Sequence, residues 1–308
     1  MGSTGTSGDA DRLPGNVIAA VTDLLGVVPR TWEARAGGHT RTGKALVSLP
    51  DGARVFVKWA SAGSGAASAL RDELRVLSVV RATFLPQTVA WSEDPPILIM
   101  EDLSDASWPP PYPTDPRPLW DALEAKARVV PPTGLPRLEE WPGPHRRWRH
   151  LAEDPRPFLG LGIVTEAWLM HALDDLVAAE ESVTLAGSQL VHNDLFSANI
   201  AFHGDRAILV DWATAAQGNA SLDSAMAVLS LRAEGSGSAH PTFADEAGFA
   251  ALLAGHNALE APAPLPSWAR SDSTMRSEQL GDLRHALAWA AELLGLPRCD
   301  GPSAFDVV

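Results

Sequence analysis

Leu190-Val-His-Asn-Asp-Leu-Phe-Ser-Ala-Asn-Ile200, followed closely by Ala207-Ile-Leu-Val-Asp-Trp212, is the stretch on which the fold turns. His203-Gly-Asp-Arg206 joins the two apolar runs, and its Gly-Asp centre predicts a short β-hairpin. Facing residues of an antiparallel hairpin have a constant sum of positions. With Gly204-Asp205 as the turn, His203 faces Arg206 and Asn199 faces Val210. Asn199 then stands diagonally beside Asp211 at the open end, and Asp194 lies in the loop just before the first strand. A carboxylate, an amide and a second carboxylate converge on one spot.

The grouping suits a particular chemistry. Carboxylate and amide oxygens are hard ligands for Mg²⁺, which keeps several waters and takes its other ligands from nucleotide phosphates. A further acidic group off the metal can accept or orient the proton of an attacking hydroxyl. The spacing His192-x-Asp194-x-x-x-x-Asn199, closed by Asp211-Trp212, resembles the catalytic and metal-binding segments of the protein-kinase superfamily. It is most similar to the small-molecule branch, the aminoglycoside phosphotransferase-like family. The resemblance implies an α+β, bilobal protein-kinase-like fold: an N-terminal antiparallel sheet plus helix, then a mainly helical C-terminal lobe. It also implies Asp194 as the catalytic acid–base residue, Asn199 and Asp211 as Mg²⁺ ligands, and His192 as a structural brace. Any one of these residues alone would be an ordinary polar loop residue; the fixed offsets are what favour chemistry. His203-Gly204-Asp205 imitates the family's His-Gly-Asp, but Val210 stands where its Asn would be, so it is a turn.

Upstream, apolar spacing predicts an amphipathic helix over 13–26, ended by Gly26, then strands at 31–35, 45–49 and 54–59. Pro50-Asp51-Gly52 supplies the turn between the last two. Gly38-His-Thr-Arg-Thr-Gly-Lys44 matches most of a P-loop, yet Ala45 replaces the required Ser or Thr and a strand follows instead of a helix. A hairpin loop lying over phosphates fits better.

Lys58 would resemble the family's phosphate-contacting lysine, against the plain reading of a strand-end surface lysine. An uncompensated ammonium in a cleft is costly. A helix over 68–81 sets Glu73 beside its inward stripe of Leu70, Leu74, Leu77 and Val80, which predicts a Lys58–Glu73 pair. Strands at 87–91 and 97–100 follow. Met100-Glu101-Asp102-Leu103 then resembles the inter-lobe hinge, implying that Met100, Glu101 and Leu103 contact the nucleotide base.

Residues 104–160 are dense in proline and tryptophan, which forbids long regular elements except a helix near 119–127. They read as an ordered connector, with a second reading in which the aromatics line an acceptor pocket. A helix over 163–182, with Ala167, Met170, Leu173 and Val177 on one face, leads into a strand at 189–191. Asp223 fits the family's aspartate that braces the catalytic loop; its plain alternative is a carboxylate at a helix N-terminus. Gly235-Ser-Gly-Ser238 reads as a flexible link, and helices are expected over 242–255 and 277–294. Their Asp245, Glu246, Asp282 and Glu292 could meet a cationic substrate but read more simply as a solvated face.

The chain divides into 1–103, a nucleotide-binding lobe, and 104–308, a catalytic and acceptor-binding lobe. Its 308 residues, 45% hydrophobic, can bury a substantial core. A net charge of −14 argues against nucleic acid or an anionic membrane surface as partner and suits a cationic acceptor. Cys299 stands alone, excluding an internal disulfide. No run reaches the ~18 apolar residues of a membrane span. Met1-Gly-Ser-Thr-Gly-Thr6 fits an N-myristoylation pattern but reads as a polar leader, and a cytoplasmic location is expected. The resemblance, carried by motifs over residues 31–230, implies transfer of a γ-phosphoryl group from ATP (or GTP) with Mg²⁺ to a hydroxyl of a small molecule. An antibiotic acceptor leads. A choline-, sugar- or amino-acid-like alcohol is the alternative, and a non-catalytic nucleotide binder the third reading. Phe196 occupies the place where protein kinases carry a lysine two positions after the catalytic Asp, which leaves the γ-phosphate one cation short unless another base fills in.

Overall fold

Residues 14–35, 42–140, 147–235, 240–266 and 274–304 are described by the computed structural model. The leader, most of the 38–44 loop, Trp141 to Pro144 and most of the 235–238 link lie outside them. Helix α1 (Gly15–Leu25) stops at Gly26, whose φ of 69° lets its N–H return to the Thr22 carbonyl. Strands β1 (Thr31–Ala34), β2 (Gly43–Ser48) and β3 (Arg54–Trp59) precede helix α2 (Gly65–Leu77), strand β4 (Thr88–Glu93) and strand β5 (Pro96–Glu101). The five strands form one antiparallel sheet in the order β1-β2-β3-β5-β4.

Period-two alternation gives the sheet two different faces. Ala45, Val47, Val55, Val57, Ile97 and Ile99 bury one face under Val17 and Val21 of α1. On the other, the register sets Lys44 opposite Lys58 and Lys58 opposite Leu98, with Leu46, Phe56 and Met100 in the next row. That polar-and-apolar face is the roof of the site. Helix α2 begins and ends earlier than its apolar stripe predicts. Ser64 caps it by accepting the Ala67 N–H at 3.1 Å, and Ser78 folds its hydroxyl back onto the Leu74 carbonyl.

Helices α3 (Arg117–Ala127), α4 (Arg147–Glu153) and α5 (Arg156–Leu159) interrupt the proline-rich connector more often than its composition suggests. Prolines 118 and 157 sit in first turns, where a missing N–H costs nothing. Helix α6 (Glu166–Ser182) is rotated from its expected setting: Trp168, Leu169, Ala172 and Leu176 are buried, while Met170 is 71% exposed. Two apolar stripes compete on this helix, and the one with the large indole wins. Trp168 also donates to the Pro297 carbonyl at 2.9 Å.

Strand β6 (Gln189–Val191) then pairs antiparallel with β9 (Ala216–Gly218), and between them β7 (Ile200–His203) and β8 (Arg206–Leu209) make the expected hairpin with His203 opposite Arg206. Helices α7 (Ser221–Ala233), α8 (Glu246–Glu260) and α9 (Met275–Leu294) complete the helical half. Helix α8 runs later than its predicted span, because Asp245 at φ 58° breaks the backbone before it. Among the described residues, no helix is long and apolar enough to cross a membrane.

The acidic residues of the last two helices are not a uniform solvated face. Glu292 pairs with Arg232, and Glu246 lies 3.5 Å from His240. Asp282 is half-buried, and burial followed by the charge of Glu278 pushes its carboxyl up to about 7. Unfolded, it ionises near ~3.9, so the folded chain holds a proton that the unfolded chain has released. Its contribution to stability is whole below that value and is lost as the pH rises to 7. Asp282→Asn should therefore flatten the pH dependence of Tm across that window and raise Tm above pH 7 by roughly 5 °C. A variant that melts with the wild-type pH profile would contradict this.

Candidate active site

Strand β3 carries Lys58 to the cleft face, and α2 lies across that face with Glu73 pointing inward. The Lys58 ammonium donates to both Glu73 oxygens at 3.0 Å and stands 3.4 Å from Asp211 Oδ1. Burial works against the Lys58 charge, but the two facing carboxylates outweigh it and hold its pKa up at about 12. In return, the Lys58 charge keeps Asp211 below the usual carboxylate range despite burial.

Behind β6 the chain turns sharply, with Asn193 at φ 63°. Asp223, in the first turn of α7, accepts the backbone N–H groups of His192 at 2.7 Å and Asn193 at 2.9 Å. It also takes the ammonium of the fully buried Lys126, which donates in addition to the Leu190 carbonyl at 2.9 Å. So Asp223 holds the loop itself and caps no amide of its own helix. His192 is buried, and burial lowers its pKa, which favours the neutral ring. Its Nε2–H donates to the Val210 carbonyl at 2.9 Å, and the ring packs against Trp212 at 4.5 Å.

The open end of the hairpin closes through the Val210 N–H to the Asn199 carbonyl, 3.0 Å. Asn199 Nδ2 donates to the Asp194 carbonyl at 2.7 Å and to its Oδ2 at 3.0 Å. Asn199 Oδ1 is thereby left as the amide atom for a cation. Asp211 adopts a left-handed conformation, φ 66° and ψ 65°, a costly backbone for a non-glycine residue. Trp212, fully buried beneath it, anchors that turn by donating its indole N–H to the Leu209 carbonyl at 2.8 Å.

A cavity of about 370 Å³ separates the sheet from this hairpin, lined by Lys58, Asn199 and Asp211 at one end and Met100, Glu101 and Leu103 at the other. Glu73 opens into a smaller adjoining recess with Lys44, Lys58 and Asp211. Asp194 is not a wall of the cavity; it is joined to it through the Asn199 amide. The Glu101 carboxylate accepts the Gln87 N–H at 2.8 Å through one oxygen. Trp108 donates its indole N–H to the Leu103 carbonyl at 3.2 Å and forms part of the wall, alongside Phe56, Arg35 and Lys44. Sequence reading did not assign those last three to the site. Alternation along β2 and β3 around the 50–52 turn was the signal that would have found Phe56 and Lys44.

Asn199 Oδ1 and the Asp211 carboxylate are two hard oxygen donors on residues that line the same cavity. Among the described residues, no group of three His, Cys, Asp or Glu could hold a metal alone. The donor set therefore fits an ion that draws its remaining ligands from water and phosphate, as Mg²⁺ does.

The profile of the phosphotransferase enzyme family matches residues 31–265. The chain belongs to that family. Solved structures similar to this phosphotransferase include a spectinomycin phosphotransferase in complex with ADP and spectinomycin. It is 11% identical with a TM-score of 0.59, covering 91% of this chain and 99% of that one. A choline/ethanolamine kinase family protein from Mesorhizobium loti is 13% identical, TM-score 0.53, covering 86% and 92%. The choline kinase of Streptococcus pneumoniae is 12% identical, TM-score 0.52, covering 90% and 98%. At such identities the likeness establishes the kinase-like fold of the phosphotransferase and nothing finer. No curated protein sequence matches it significantly.

Proposed function

We propose that this phosphotransferase moves the γ-phosphoryl group of Mg²⁺-bound ATP to a hydroxyl of a small molecule, in the cytoplasm. One observation carries the reading: Lys58, beside Asp211, and Asn199 line one end of the cavity, and Asn199 in turn donates to Asp194 just behind that wall. Lys58, held by Glu73, grips nucleotide phosphate, and Met100, Glu101 and Leu103 enclose the base; GTP would fit the same description. Asn199 and Asp211 hold the Mg²⁺, which when bound supplies charge neutralisation for the transferring group. Asp194 orients the acceptor hydroxyl and takes its proton, while His192 and Asp223 keep the loop in place. Residues 1–103 form the nucleotide lobe in this reading, and 104–308 the lobe that receives the acceptor.

For the acceptor, the leading class is a hydroxylated, cationic antibiotic. The spectinomycin phosphotransferase shares the fold, and a net charge of −14 favours a positively charged partner. A choline-like or sugar alcohol is the second reading, favoured by the likeness to choline kinase. Incubation with ATP, Mg²⁺ and panels of both classes, read by mass, is expected to show one added phosphate on members of the first. Phosphate appearing only on metabolic alcohols would replace the antibiotic assignment. No phosphate on any hydroxyl compound, with ATP unconsumed, would remove the reaction itself.

A further inference from the structure

Phe196 stands two positions after Asp194, so the catalytic loop offers no cation there to the group being transferred. The sheet above offers one. Lys44 of β2 is the direct cross-strand partner of Lys58 of β3, and the two side chains share the cleft face. Both line the main cavity and the adjoining recess together with Asp211. Glu73 and Asp211 share the recess with the two ammonium groups, so two cations and two carboxylates meet at this end of the cleft.

Position along the strands says which part of a nucleotide Lys44 would meet. Phe56 faces Met100 at the end of the cavity walled by Glu101 and Leu103, whereas Lys58 faces Leu98, one full strand repeat farther from that end. Lys44, level with Lys58, is therefore at the phosphate end, beside Asp211. We propose that Lys44 is a second phosphate-binding cation that contacts the terminal phosphoryl group and substitutes for the lysine missing from the catalytic loop. This rests on the nucleotide reading given above. The ammonium gains and loses no proton in this role; it offsets charge on the phosphoryl oxygens.

Equilibrium binding of Mg·ADP and of Mg·AMP-PNP to the full chain tests it, using wild type, Lys44→Gln and Lys44→Arg. Gln is expected to weaken AMP-PNP about tenfold, the worth of one charged hydrogen bond, and ADP by less than about threefold. Arg should restore most of the difference. Lys44 is half-buried at a strand end, so both variants should melt close to wild type. If Gln weakened both nucleotides equally, or neither, Lys44 would have no special tie to the terminal phosphate and the inference would fall. If wild type itself bound neither nucleotide, the underlying nucleotide reading would fall with it.

Discussion

Asp194→Asn is expected to lower turnover by between ~10²- and ~10⁴-fold, the range for losing a positioned acid–base group. The substitution keeps the side chain's size and one oxygen that can accept the Asn199 Nδ2 hydrogen, now 3.0 Å away. Loop geometry should survive, because Asp223 and Lys126 hold it from below. Nucleotide affinity should be nearly unchanged, since Asp194 is not a wall of the cavity. The measurement is kcat on the acceptor found by mass, alongside ADP binding. Full turnover in the variant would show that some other group, or none, takes the hydroxyl proton.

Lys126→Met should cost about 3–5 kcal/mol of folding free energy, the penalty for leaving one member of a buried ion pair uncompensated. Both side chains have no exposed surface, and Asp223 would keep its two backbone N–H donors while losing its counter-charge. The Leu190 carbonyl would also lose its donor. Denaturant unfolding measures the loss. The double variant Lys126→Met/Asp223→Asn should cost less than the sum of the two singles, because the second change removes the stranded charge. A single-variant cost below about 1 kcal/mol would mean that the pair does not support the catalytic loop. Activity would then be expected to survive as well.

The two variants separate different kinds of knowledge. Asp194, Asn199 and Asp211 were legible because a hairpin is local: its turn residues set the register, and the register sets which side chains meet. The Lys58–Glu73 pair was legible for a similar reason, since a strand period and a helix period each face a residue inward at known offsets. Residue types alone therefore determined the hairpin, the spacing from His192 to Asn199 and the succession of strands along the N-terminal part of the chain.

Lys126 escaped notice because its partner is 97 positions away, and no local period links a helix after the hinge to one beyond the hairpin. Lys44 escaped for a subtler reason, its strand register being hidden behind a loop that imitated another motif. The facing of α6 and the half-burial of Asp282 likewise depended on which neighbours packed against them. Local pattern tells which sides of an element can be buried. Only the packed tertiary structure decides which side is, because burial free energy belongs to the contact between elements and to neither element alone.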